Sequence, residues 1–218
     1  MIMSNREKTD IIIACEDTYG LDIYLMIRAI NTWGDGRKKY HVVGFVSDAP
    51  DPFGKTAPPC PVIGSLSDHD APENTVYTVA IRDPAHKESA VQALRSRDAR
   101  FETLIAPWAM LAREYKVGEG CIIGNYCFKS RSEFGDFVIM DAAMCETVSV
   151  GDYSTLCPFV NMTNATIGKR VFVGSHAIIM EHRTVGDGAY IHPGSLVLTN
   201  VRPGSVMRGV PAKRVKNN

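Results

Sequence analysis

From Val117 to Val201 an aliphatic residue followed by a small one returns about every six residues: Val117-Gly118, Ile123-Gly124, Phe134-Gly135, Met140-Asp141, Val150-Gly151, Leu156-Cys157, Ile167-Gly168, Val173-Gly174, Val185-Gly186 and Ile191-His192. Three hexads make one coil, and the leading residues Val117, Phe134, Val150, Ile167 and Val185 stand 17, 16, 17 and 18 positions apart. A short fixed period means stacked units, none able to bury its apolar face alone. The aliphatic residue is expected to fill a triangular tube, and the glycine, or a residue tolerant of positive φ, to turn the corner. This is the hexapeptide pattern of a parallel left-handed β-helix. With neighbouring strands ~4.8 Å apart, five coils make a prism roughly 24 Å long.

The 100 or so residues before the repeat read differently. Residues 10 to 14, Asp-Ile-Ile-Ile-Ala, read as a buried strand, Ile23, Met26, Ile27 and Ile30 follow at helical spacing, and Gly34 and Gly36 stop that helix. Further strands are expected over His41–Ser47, Val76–Ile81 and Phe101–Ala106, with 49–64 a Pro/Gly-rich loop. Asp83-Pro84 supplies an N-cap and a proline for a helix with Ala90, Val91 and Leu94 inward. Alternating strands and helices predict a small Rossmann-like parallel α/β domain over 1–108, ahead of a β-helix over 109–201 and a tail over 202–218.

A chain of 218 residues, 45% hydrophobic and 22% charged, with zero formal net charge, reads as a soluble protein without nucleic acid or an anionic membrane as its main partner. Its six cysteines form no CxxC pair and no secretory leader precedes them, which points to a reduced, cytoplasmic setting. Ile11–Cys15 is too short to insert into a membrane. The turn after the first strand, Cys15 to Gly20, keeps one glycine and carries Glu16 and Asp17, so a dinucleotide is disfavoured there. Asp48 and Asp83, at the ends of the second and third strands, are candidates for ribose or sugar hydroxyls; capping a helix is the plainer role for Asp83.

A small α/β domain, a connector and hexapeptide coils closing with Arg208-Gly209-Val210-Pro211-Ala212-Lys213-Arg214 resemble the sialic-acid O-acetyltransferases and bacillosamine-type sugar N-acetyltransferases. Val42–Asp48, Val79–Pro84 and Leu104–Pro107 are similar to that family's strand motifs, with Arg82 where a glycine is usual. The resemblance implies acetyl-CoA as co-substrate, a sugar or nucleotide-sugar acceptor destined for a surface glycan, and a homotrimer with the coenzyme between two prisms. It places Gly174 and Ser175 near the pantetheine arm, and Gly209, Lys213 and Arg214 near the phosphates, which basic side chains would bind by charge-assisted hydrogen bonds.

Acyl transfer from a thioester needs a base for the acceptor and donors for the oxyanion. The family sets a histidine before a central corner; here that segment, 144–151, has none, and Glu146 takes its column. The coil from Phe134 to Val150 is also two residues short of 18, and Tyr19 replaces the family's partner histidine before Gly20. Glu146, the pair Glu181-His182, and His176 are the candidate bases. A zinc site built from His176, His182 and His192 is disfavoured, because no histidine falls between 117 and 160. The resulting expectation is an acetyl-CoA-dependent sugar N- or O-acetyltransferase without a metal. The alternative is a catalytically degenerate trimer that binds or scaffolds.

Overall fold

The computed structural model describes residues 8–36, 39–70, 72–111, 115–124 and 128–215; Lys216, part of the basic tail, lies outside them. The first part is a five-stranded parallel sheet built from β1 (Thr9–Cys15), β2 (Tyr40–Val46), β3 (Val62–Gly64), β4 (Thr75–Ala80) and β5 (Arg100–Phe101), in the order β3-β2-β1-β4-β5. Helix α1 (Tyr19–Trp33) buries Ile23 and Ile27, and α2 (Pro84–Arg95) buries Lys87, Ala90, Val91 and Leu94 along one stripe. Asp83 caps α2, accepting from the backbone N–H groups of Ala85 at 2.9 Å and His86 at 3.0 Å. The strand order reverses between β1 and β4, and in such sheets the crevice beyond the strands' carboxyl ends is where ligands bind.

Two sequence expectations are corrected here. The loop 49–64 contains β3, paired to β2 through Phe45↔Val62 and Val46↔Gly64. The stretch expected as one strand, Phe101–Ala106, is two: Phe101 pairs with β4, whereas Leu104–Ile105 pairs with Ile122–Ile123 of the coils. The prism face therefore starts at Leu104.

Gly20, the one glycine kept in the first turn, is there for packing. A Cβ on it would fall 2.8 Å from both Cβ and Sγ of Cys15, so its absence lets α1 lie against β1. We expect Gly20→Ala to lower stability by about 1–3 kcal/mol in urea unfolding, since overpacking a rigid contact has that cost.

The second part is the left-handed β-helix: three parallel sheets whose two- and three-residue strands stack coil on coil. The columns Ile123, Met140, Leu156, Val173, Ile191 and Val150, Ile167, Val185 are all buried in a single core. The corner glycines have a reason other than the expected one. Gly135, Gly151, Gly168, Gly174 and Gly186 do not have positive φ; a Cβ on each would meet the backbone of the next coil at 2.5–2.9 Å. Positive φ is carried two residues later, by Phe137, Tyr153, Arg170, Gly188 and their counterparts His176 and Gly194.

The two parts share their cores. Leu104, Ile122 and Ile139 from the prism pack with Ile11, Ile13, Tyr19 and Ile23, while Phe137 and Tyr153 join Tyr77 and Phe101. Phe137 stacks on Tyr153 with centroids 5.3 Å apart and meets Phe101 edge-on at 5.0 Å. Further along the same face α2 sends Lys87 into the coils. It is 1% exposed, and its Nζ donates to Ser154 O at 3.2 Å and Thr155 Oγ1 at 2.8 Å. Burial lowers this ammonium from its ordinary value to about 7, against the pull of Cys121, Asp141, Asp83 and Cys157.

Candidate active site

At the switch point, the turn after β1, the end of β4 and one edge of the prism converge. The Tyr19 hydroxyl, at the start of α1, donates to Asp141 Oδ1 at 2.8 Å. The Arg82 guanidinium lies 4.9 Å from the Tyr19 ring centroid and donates to Asp17 Oδ2 at 3.3 Å. Tyr19, Asp22, Ile23, Met26, Arg82, Gly124, Asp141, Ala142 and Pro158 line a pocket of about 300 Å³.

Asp141 follows the strand Ile139–Met140 and occupies a corner column whose other members are Gly124, Cys157, Gly174 and His192, each donating its N–H to the next coil. Its carboxyl is partly buried. Burial raises its pKa above the ordinary value, and the charge of Asp22 adds to the rise; the Tyr19 hydrogen bond, Arg82 and Lys87 oppose it. The Tyr19 hydroxyl is pushed well above its ordinary value by burial and then by Asp141, which makes it a hydrogen-bond donor rather than a base. A Cβ on Gly124 would press on the backbone of this coil, 3.2 Å from Met140 O and 3.3 Å from Asp141 Cα.

A second pocket, of about 470 Å³, lies on the other side of the same turn, lined by Glu16, Asp48, Ala49, Leu66, Ile81 and His86 among others. Asp48 holds the Leu66 N–H at 2.7 Å, and Glu16 pairs with His86 Nδ1 at 2.9 Å. The glutamate raises the imidazole above its ordinary value, chiefly through that hydrogen bond.

The expected residues do not gather at one place. Tyr19 lines the junction pocket, Asp48 the second pocket, and Asp83 is engaged in capping α2. Gly174 and Ser175 lie on the Asp141 edge, two coils further along. Glu146, Glu181 and His182 share a different edge, where His182 N–H donates to Asn164 O and Asn164 N–H to Glu146 O. That puts Glu146 and Glu181 two coils, roughly 10 Å, apart. All three side chains are exposed, and His182, like Thr147, takes positive φ. His176 is also at a positive-φ corner, stacked on Phe159 with centroids 4.9 Å apart. Gly209 has φ 102, and Lys213–Val215 turns back antiparallel on Val206–Arg208, with Lys213 and Arg214 exposed. No group of three His, Cys, Asp or Glu residues suited to a metal ion occurs among the described residues.

Sequence reasoning gave no site role to Asp141, Lys87 or Arg82, the last of which it marked only as standing where a glycine is usual. Signals were present for two of them. Asp141 is a carboxylate in a glycine column, and Lys87 precedes Ala90, Val91 and Leu94 at the spacing of the buried stripe.

Residues 164–199 match the family described as bacterial transferase hexapeptide (six repeats). The chain is similar to the acetyltransferase domain of PglB from Neisseria gonorrhoeae in complex with acetyl coenzyme A: TM-score 0.82, 20% identity, 96% of this chain and 100% of that one. It is similar also to PerB from Caulobacter crescentus in complex with CoA and GDP-perosamine: TM-score 0.79, 20% identity, 95% and 97% of the two chains. At such identities these likenesses establish the fold. The bifunctional protein GlmU of Aquifex aeolicus is 24% identical over 131 residues, 56% of this chain and 28% of that protein. The chain thus spans only about a quarter of the length of the GlmU proteins it matches.

Proposed function

We propose that this chain is an acetyl-CoA-dependent acetyltransferase acting on an amino or hydroxyl group of a nucleotide-linked sugar, in the cytoplasm and as a homotrimer. The observation that carries this reading is the junction pocket, where a prism carboxylate and an α/β-domain tyrosine close on one cavity beside the sheet's ligand crevice. In this reading the second pocket takes the nucleotide, with Asp48 at its rim, and the junction pocket takes the sugar. The acyl donor lies along the Asp141 edge past Gly174 and Ser175, towards Gly209, Lys213 and Arg214. Support comes from the likeness, over nearly the whole chain, to two acetyltransferases, one holding acetyl coenzyme A and the other CoA with GDP-perosamine. Both chemistries need a thioester donor and an acceptor held within reach of a base.

Calorimetric titration with acetyl-CoA and with CoA tests this directly. One ligand should bind per chain, and affinity should fall as salt rises, because exposed cations meet the coenzyme's phosphates. Transfer to GDP-perosamine is then followed by release of free thiol. The absence of a histidine from 144–151 favours a second reading, a trimer that only binds or scaffolds. A folded chain that ignores acetyl-CoA would establish that reading and overturn the first.

A further inference from the structure

The proposed transfer leaves open which group takes the proton from the acceptor. Glu146, Glu181 and His182 stand on another prism edge, and none of them lines the junction pocket. Resting on the reading above, we infer that Asp141 is the catalytic base and that Tyr19 is the residue that positions it.

Three observations converge on this carboxylate. It lines the junction pocket, so an acceptor bound there touches it. One of its oxygens is fixed by the Tyr19 hydroxyl at 2.8 Å, which orients the group without consuming it. It shares its edge with Gly174, two coils away, along which the acyl donor would lie. The charged and titratable groups facing it come from every packed element. Tyr19 and Asp22 are on α1, Arg82 follows β4, Lys87 is on α2, and Cys157 is on the next coil. Burial makes the carboxylate a stronger acceptor than a solvated one, while Lys87 and Arg82 oppose its protonation in the resting state. The two carboxylates in the pocket, Asp22 and Asp141, can accept from both N–H groups of an amine where a hydroxyl has a single donor, and so favour an amine as the acceptor.

The acceptor enters as a neutral amine, and its nitrogen attacks the thioester carbonyl carbon. The N–C bond forms, the C–S bond breaks, and Asp141 takes the proton that nitrogen sheds. The carboxyl then passes it to the departing sulfur, releasing amide and free thiol and restoring the carboxylate.

The test pairs two variants in transfer from acetyl-CoA to a panel of nucleotide-linked sugars that offers both amino and hydroxyl acceptors, GDP-perosamine among them. Asp141→Asn keeps an acceptor for the tyrosine hydroxyl and should bind acetyl-CoA as the wild type does, while kcat falls ~10²- to 10³-fold. Tyr19→Phe removes the hydrogen bond that holds the carboxyl down, so the acid limb of the kcat/KM profile should move to higher pH. That shift decides the matter even if Asp141→Asn folds poorly, and a merely structural role would not produce it. Wild-type transfer that Asp141→Asn retains within threefold, or an unmoved acid limb in Tyr19→Phe, overturns the assignment of Asp141 and leaves the acetyltransferase standing. Wild-type binding of acetyl-CoA with no transfer to any panel member overturns both.

Discussion

Lys87→Met is expected to unfold at higher urea concentration than the wild type at pH 7, by the equivalent of about 2–4 kcal/mol. A buried ammonium lowered from 10.5 to about 7 represents roughly 5 kcal/mol of unfavourable desolvation, at 1.36 kcal/mol per pH unit. Its two hydrogen bonds return only part of that. Neither partner is stranded by the substitution, because Ser154 O also accepts from Ile139 N at 3.0 Å and the Thr155 hydroxyl still donates to Arg82 O at 2.7 Å. Methionine fills the same channel without a charge. The effect has a definite pH dependence. Below pH 7 the lysine is protonated both folded and unfolded, so the difference is constant. Between about 7 and 10.5 the unfolded chain holds one more proton than the folded one, so wild-type stability rises with pH. The advantage of the variant should therefore shrink by about 1.4 kcal/mol per pH unit across that window. A variant less stable than wild type at every pH would show that Lys87 is held for its bonds. The same substitution removes a positive charge that holds Asp141 down, so the acid limb of any transfer activity should rise with it.

Gly151→Val should abolish folding of the prism. A Cβ at Gly151 would lie 2.7 Å from both Gly168 C and Lys169 N, and 2.8 Å from Gly168 O. Those atoms are backbone, and the spacing of the two coils is fixed by hydrogen bonds such as Gly151 N–H to Ile167 O at 2.9 Å. Relief requires prising the coils apart, and a loss above about 4 kcal/mol takes most of the stability of a domain at the lower end of the ordinary range. Soluble yield and circular dichroism would read this out. Thr147→Gly is the control: Thr147 is exposed with φ 53, and glycine there should gain about 1 kcal/mol. If valine at 151 is tolerated while glycine at 147 has no effect, the division of labour between close-approach corners and left-handed corners is wrong.

The hexads were legible because each coil repeats one burial problem, and repetition reveals what a single hexad would hide. The reason for their glycines was not, since sequence shows that a side chain is absent without showing what it would strike. The three residues of β3 sit in a stretch rich in proline and glycine, where three positions carry too little periodicity to register. The break between Phe101 and Leu104 escaped because both halves are apolar, although they serve different sheets. The candidate site was half visible. Tyr19 stood out by its place before Gly20, but its hydrogen-bond partner lies 122 positions away, and only the packing of α1 against the prism brings the two together. Asp141 was written into the repeat as one more corner pair, and its chemistry appears only once a tyrosine and a cavity face it.

The corner columns give the molecule something like a ruler. Every coil offers the same few outward positions, and successive coils differ by one fixed step of ~4.8 Å. A functional carboxylate on such an edge has discrete addresses, and moving it from 141 to the place of Cys157 would shift it by one graduation while the core columns stay as they are. Retuning this scaffold for a longer or shorter acceptor would therefore proceed in whole-coil jumps, with the thioester arm as the length against which each jump is measured.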